Sequence, residues 1–195
     1  MTFKVERVAR RVLLLLLLPL AACAGASRGP VTQGAFEPVS QLDLARFMGD
    51  WYVLAHIPTR PERDAFDALE QYTLREDGRI DIRFTFCRGA GDGPLETLEM
   101  LGWVHDRETN AEWRVRPFWP LRFGYEVLEL APDYSLTVIG HPSRRYAWIM
   151  ARTTEIDEDA LSGISARLAH AGFDIERLRR VPHSGGQCRA IPEGA

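Results

Sequence analysis

The chain has 195 residues, enough for one domain with short extensions. Its 46% hydrophobic content supports a sizeable core, and 26% charged residues is ordinary for a globular domain. Of the net charge of −3, residues 1–22 supply Lys4, Arg7, Arg10 and Arg11 against Glu6, which leaves the remainder acidic at about −6. Nucleic acid is therefore excluded as an expected partner, because binding phosphates needs a basic face.

The basic residues up to Arg11 are followed by eleven apolar ones, 12–22, with a run of six leucines at 13–18. That is too short to cross a bilayer as a helix, which takes about 20 residues. It reads as a secretory signal peptide over 1–22. Its end, Leu20-Ala21-Ala22-Cys23, resembles the lipobox of bacterial lipoproteins, in which the cysteine is acylated (palmitate is a typical chain) and becomes the mature N-terminus. Two or three acyl chains, at about 0.8 kcal/mol per buried CH₂, anchor a protein stably. Ala24 is not the aspartate that retains many such proteins at the inner membrane, so the resemblance implies a cell outer membrane address, facing the periplasm. With Cys23 acylated, Cys87 and Cys188 remain. Export puts them in an oxidising compartment, where such a pair is expected to form a disulfide closing a loop of about 100 residues. Neither has a second cysteine or a histidine at metal-ligand spacing, so neither a metal nor another cofactor is expected.

Residues 23–41 contain Gly, Ser and Pro without apolar periodicity and read as a flexible tether, with the folded domain over 42–195. Residues 42–48 suggest a helical turn leading into Gly49-Asp50-Trp51-Tyr52. From Trp51 the text is strands and turns: apolar or alternating runs at 51–57, 68–75, 79–87, 95–105, 112–118, 123–130, 135–140 and 146–152. Glu76-Asp77-Gly78 is a hairpin signal. The glycine-rich stretch 88–94 lacks the Lys-Ser/Thr of a phosphate loop and reads as a turn. No crossover helix interrupts these eight runs, so consecutive antiparallel pairing can close the sheet and remove its edges. A helix follows. Asp157 is its N-cap, Glu158 and Asp159 suit its dipole, and Ile156 with Leu161 forms a staple. Leu161, Ile164 and Leu168 make an apolar stripe, and Gly172 stops the helix. The stripe is expected to pack on the outer wall, and residues 179–181 suggest one more short strand.

Three motifs carry a family resemblance. Gly49-Asp50-Trp51-Tyr52 is similar to the first motif of the lipocalins, Gly-x-Trp followed by an aromatic. Asp133-Tyr134 is similar to the second, although Pro132 stands where a polar residue is usual. Arg152, reached through Trp148-Ile149-Met150-Ala151 and followed by Thr153, is similar to the third. The chain thus resembles the lipocalins, and most closely the bacterial outer-membrane lipoprotein lipocalins. The resemblance implies an all-β fold: an eight-stranded antiparallel up-and-down barrel with a C-terminal α-helix packed outside. It also implies that Arg152 lies on Trp51 beneath the closed end, a structural contact worth about 0.5–2 kcal/mol.

An eight-stranded barrel can hold one small ligand in its mouth. The resemblance implies a small hydrophobic ligand such as a fatty acid or lysophospholipid, bound for storage or transport in the bacterial envelope. Phe84, Phe86, Trp103, Trp113, Phe118, Phe123 and Tyr125 are the candidate ligand contacts, with plain packing as the alternative for each. Arg114, Arg116 and Arg122 could meet an anionic head group or simply be solvated. Against an enzyme stand five scattered histidines (His56, His105, His141, His170, His183) and the lack of a Gly-x-Ser-x-Gly elbow. No catalytic residue is expected, although one of Glu96, Glu99, Glu126 and Glu129, if buried, could act as an acid or base. A barrel that only displays a surface to an envelope partner is a third reading. The sequence leaves homodimer formation open.

Overall fold

The computed structural model describes residues 36–185 and 187–189. The signal peptide, Cys23 and the tether up to residue 35 lie outside the described residues. The end of the stretch read as a tether is described, and it lies on the domain. The Val39 N–H donates to the Val127 carbonyl at 2.9 Å, and Phe36 packs with the outer apolar cluster.

A one-turn helix α1 (Leu44–Phe47) is capped by Asp43, whose carboxylate accepts from the Ala45 and Arg46 amides. Gly49, at φ 94°, bends the chain sharply into β1, a conformation that a Cβ would strain. The strands are β1 (Gly49–Ile57), β2 (Ala65–Leu74), β3 (Arg79–Arg88), β4 (Leu95–Val104), β5 (Glu112–Arg116), β6 (Phe123–Leu130), β7 (Leu136–Gly140) and β8 (Ala147–Ala151). Each pairs antiparallel with the next, and β1 pairs with both β8 and β2, so the sheet closes into an eight-stranded barrel. β2 begins three residues earlier than the sequence suggested. A bulge between Phe66 and Leu69, with Asp67 at φ 47°, hides its alternation. β5 ends two residues early, at Arg116, because Pro117 has no N–H to donate.

The hand-off between inward and outward faces follows the register. Trp51 stands opposite Glu70, Glu70 opposite Phe84, and Phe84 opposite Leu98, so all four point into the barrel. The inner cluster also takes Phe47, Val53, Tyr72, Ile80, Ile82, Phe86, Trp113, Val115, Tyr125 and Val127. Helix α2 (Glu158–His170) lies outside. Its buried Leu161, Ile164 and Leu168 join Ala55, Ile57, Val138 and Ile149 in a second cluster on the wall. Gly140 is required there: a Cβ would come within 2.4 Å of Leu128 Cδ1 and 2.9 Å of Phe173 Cζ.

β1 and β2 pair only as far as Tyr52 and Leu69. Beyond that the C-terminal tail fills the wall. β9 (Arg179–Arg180) pairs with His56 and Ala55, Val181 N–H donates to Leu54, and Asp67 N–H donates to Pro182. Cys188 then joins Cys87 in a disulfide that spans 101 residues of sequence, with Cα atoms 5.1 Å apart.

Candidate functional site

Strand direction sorts the loops. Residues 75–78, 105–111 and 131–135 lie with α1 at one end, and residues 58–64, 89–94, 117–122 and 141–146 at the other. The first end is sealed. Phe47 rises from α1 into the barrel, its ring centroid 5.0 Å from Trp51, 5.6 Å from Tyr72 and 5.4 Å from Trp113. Trp51 is fully buried and donates its indole N–H to the Phe47 carbonyl at 2.8 Å. The Arg152 guanidinium lies 3.8 Å from the Trp51 ring centroid. Its N–H groups donate to the carbonyls of Arg46, Phe47, Met48 and Asp50 at 2.6–3.1 Å. One cation thus satisfies the open carbonyls at the end of α1, where the positive charge suits the dipole. Tyr134 accepts from the Asp43 amide at 2.9 Å, and Asp133 holds the turn by accepting from the Ser135 amide and hydroxyl. Gly49, Trp51, Asp133, Tyr134 and Arg152 are therefore joined in a single floor.

Above the floor the interior is apolar with a ladder of buried polar groups. Trp113 stacks on Tyr125 at 5.0 Å and 9°. Tyr72 donates to the Glu70 carboxyl and shares a 2.7 Å hydrogen bond with the Tyr125 hydroxyl. Higher up, Trp148 and His56 face each other across β8 and β1. The loop 58–64 folds inward and delivers Glu62, whose carboxylate accepts from Thr59 at 2.7 Å and from the Trp148 indole at 3.0 Å.

Burial sets the charge of this ladder. Glu70 is pushed up to about 8, first by desolvation and then by the Glu62 carboxylate. Glu62 is also raised by burial, against the hydrogen bonds from Thr59 and Trp148. His56 is lowered to about 4 by burial. Tyr125 is driven well above the usual phenol range by desolvation and by Glu70. At neutral pH Glu70 is largely a neutral carboxylic acid and His56 a neutral imidazole. The 3.7 Å separation of His56 Nδ1 from Glu62 is accordingly too long for a hydrogen bond and is not an ion pair, and Nδ1 has no partner. The interior is thus a packed apolar core that holds a small set of buried donors and acceptors between its aromatic rings.

A family model described as a lipocalin-like domain matches residues 42–183. The chain belongs to the lipocalin family. Temperature-induced lipocalin-1 of Arabidopsis thaliana is 31% identical over 157 residues, covering 76% of this chain and 83% of that protein. The outer membrane lipoprotein Blc of Escherichia coli K12 is 28% identical over 175 residues, covering 87% of this chain and 98% of its own. Among solved structures, insecticyanin from the tobacco hornworm Manduca sexta superposes with a TM-score of 0.57 at 15% identity, covering 79% and 90% of the two chains. That last likeness is one of fold.

Within the lipocalin barrel the seven aromatic candidates separate. Phe84, Phe86, Trp113 and Tyr125 face inward and are buried. Phe123 stands opposite Val115 at the rim, its ring against His141 and Tyr146. Trp103 sits on the outer wall, paired with Arg79 and Arg114 and beneath the Arg122 guanidinium at 5.4 Å. It does not face the interior, because Met100, Gly102 and Val104 take the inward phase of β4. Phe118 is 65% exposed in the loop 117–122. Arg114 and Arg122 likewise lie outside. The acids Glu96, Glu99, Glu126 and Glu129 pair on the outer surface with Arg88, Arg83, Arg144 and Arg167. The acid that a strand turns inward is Glu70. Sequence reading missed it together with Glu62, His56 and Tyr72. The available signal was that Ala68, Glu70 and Tyr72 share one face of β2. Leu69, Gln71 and Thr73 on the other face are just as mixed, so the phase was unreadable. Among the described residues no three His, Cys, Asp or Glu side chains gather as a metal site.

Proposed function

We propose that this lipocalin binds a small amphiphilic lipid, a fatty acid or lysophospholipid, in the barrel and stores or transfers it in the bacterial envelope. The observation that carries the reading is the interior itself. Apolar walls at Phe84, Phe86, Ile82 and Val115 surround a neutral hydrogen-bonding set, Glu70, Tyr72, Tyr125 and the unpartnered His56 Nδ1. The acyl chain lies along the aromatic and aliphatic wall. The polar end meets the ladder, and loading requires the loop 58–64 to lift and release Trp148 from Glu62. A charged head group is poorly served beside Glu70 unless it shares the carboxyl proton, because two ionised groups in one dry site raise each other's energy.

The proposal includes the leader. Residues 1–22 are removed, Cys23 carries the acyl anchor, the following stretch tethers the domain, and the protein faces the periplasm from the outer membrane. The name of the Escherichia coli relative supports that address. Changing Cys23→Ser should release the protein from membranes, and retention after a high-salt wash would overturn the anchor. The binding reading is tested by native mass spectrometry of delipidated protein titrated with lysophospholipids and fatty acids. One-to-one adducts at micromolar ligand are expected. No adduct would favour a surface-displaying envelope protein, and turnover of the lipid would favour an enzyme.

A further inference from the structure

Six large hydrophobic side chains are exposed among the described residues, and three of them sit in one six-residue loop: Phe118 (65%), Trp119 (81%) and Leu121 (40%). The others, Leu74, Leu95 and Ile175, are isolated on different elements. Scattered exposed hydrophobics need no account, but a contiguous set does. This set lies at the tip of the β5–β6 loop, where a turn closed by the Leu121 N–H to the Phe118 carbonyl presents all three outward. The loop belongs to the open end, over the chamber rather than under its floor. Arg116 and Arg122 flank it, so apolar tip and cationic shoulders are adjacent.

The charge of the two ends differs in the same sense. The four open-end loops hold five arginines against three acids, Glu62, Asp64 and Asp92, a net of +2. Glu62 is buried, which leaves Asp64 and Asp92 as the exposed acids of these loops. The three closed-end loops hold two arginines against five acids, a net of −3. On an overall acidic chain, the loops around the mouth thus carry a net positive charge beside the exposed aromatic tip.

We infer that the β5–β6 loop docks the open end of the barrel onto an anionic phospholipid bilayer, with Trp119 and Phe118 at the level of the head groups and the rim arginines on lipid phosphates. Trp is favoured at the boundary between hydrocarbon and water, where its ring is buried and its N–H stays wet. Arginine suits phosphate because its planar fork gives two parallel donors. Attraction to an anionic surface acts within a Debye length, so only rim charges count, and the acidic closed end points away. A protein partner is less well served. A stable interface buries about 1,200–2,000 Å² in total, more than three side chains on one tip provide. Docking in this orientation would open the chamber directly onto the source of its ligand. That purpose rests on the reading of the barrel as a lipid cup, but the surface chemistry does not.

The test uses the full chain on vesicles of phosphatidylglycerol and phosphatidylcholine whose acyl chains carry bromine, a short-range quencher of tryptophan. Trp119 is the most exposed of the five indoles, whereas Trp103 and Trp148 are partly buried and Trp51 and Trp113 fully so. Its emission should shift to the blue and be quenched by the brominated chains, and both changes should be lost in Trp119→Ser. That variant alters no buried contact, so it folds, and the acyl anchor holds it on the vesicle equally well. Phe118→Ser should reduce the quenching, and replacing phosphatidylglycerol by phosphatidylcholine should weaken it. If Trp119 stays open to aqueous iodide while the protein is vesicle-bound, the inference is wrong. Shielding that grows with protein concentration in the absence of vesicles would assign the tip to a second copy of the chain and also overturn it. Quenching of Trp119 in a protein that forms no lipid adduct would leave docking standing and remove the lipid-cup reading.

Discussion

Replacing Glu70 by Gln separates the energy of burying an ionisable acid from that of burying its shape. The carboxyl sits at about 8 in the folded chain against an ordinary 4.5. Between those values the folded state keeps a proton that the unfolded state has lost, so stability falls as pH rises through that window. The slope is about 1.4 kcal/mol per pH unit, which removes about 3 kcal/mol by pH 7 and between 4 and 5 kcal/mol, roughly, by pH 8. Gln has no such slope. Its amide N–H₂ instead needs a partner in a place built for Tyr72 to donate, at a cost of about 1–3 kcal/mol. Glu70→Gln should therefore be less stable than the wild type at pH 4.5 and more stable at pH 8, with a crossing at roughly pH 5–7. Urea titrations followed by tryptophan fluorescence at each pH, with the disulfide intact, measure the difference. His56 and Glu62 are common to both chains and largely cancel. Parallel pH profiles from 5 to 8 would show that Glu70 is already ionised in the fold, and the account of a neutral interior would fail.

Three further perturbations probe the frame. Trp51→Ala removes a buried indole and the platform under Arg152, and should cost about 3–5 kcal/mol in chemical denaturation; a stable variant with altered ligand preference would place the binding site at the wrong end. Changing Cys87→Ser with Cys188→Ser opens a loop of 101 residues and should lower stability by about 4–5 kcal/mol by chain entropy, read as the denaturation midpoint with and without the bridge. No difference would mean that the unfolded chain is already compact there. Gly140→Ala drives a methyl group into Leu128 and Phe173, and should cost about 1–3 kcal/mol and loosen α2, seen as faster amide exchange along Leu161, Ile164 and Leu168. Unchanged exchange would mean that the helix does not depend on that contact.

Local chemistry determined the frame of this protein in the sequence itself. A glycine two residues before a tryptophan, turn residues between short alternating runs, and an acid-capped helix with an apolar stripe each act over a few residues. Together they fixed the run of strands and the side of α2 that is buried, while the floor at Trp51, Tyr134 and Arg152 was legible only through the resemblance of three separated motifs to the lipocalins. The interior was decided only by tertiary structure. A residue's side of the sheet depends on the phase of its strand, and β2 and β4 are mixed on both faces, so the inward Glu70 and the outward Trp103 could not be told apart from their neighbours. Glu62 enters the chamber because a loop folds back over the mouth, and His56 is neutral because the closed wall keeps water away from it. Burial and proximity between residues far apart in the chain set these properties, and no stretch of sequence carries them alone.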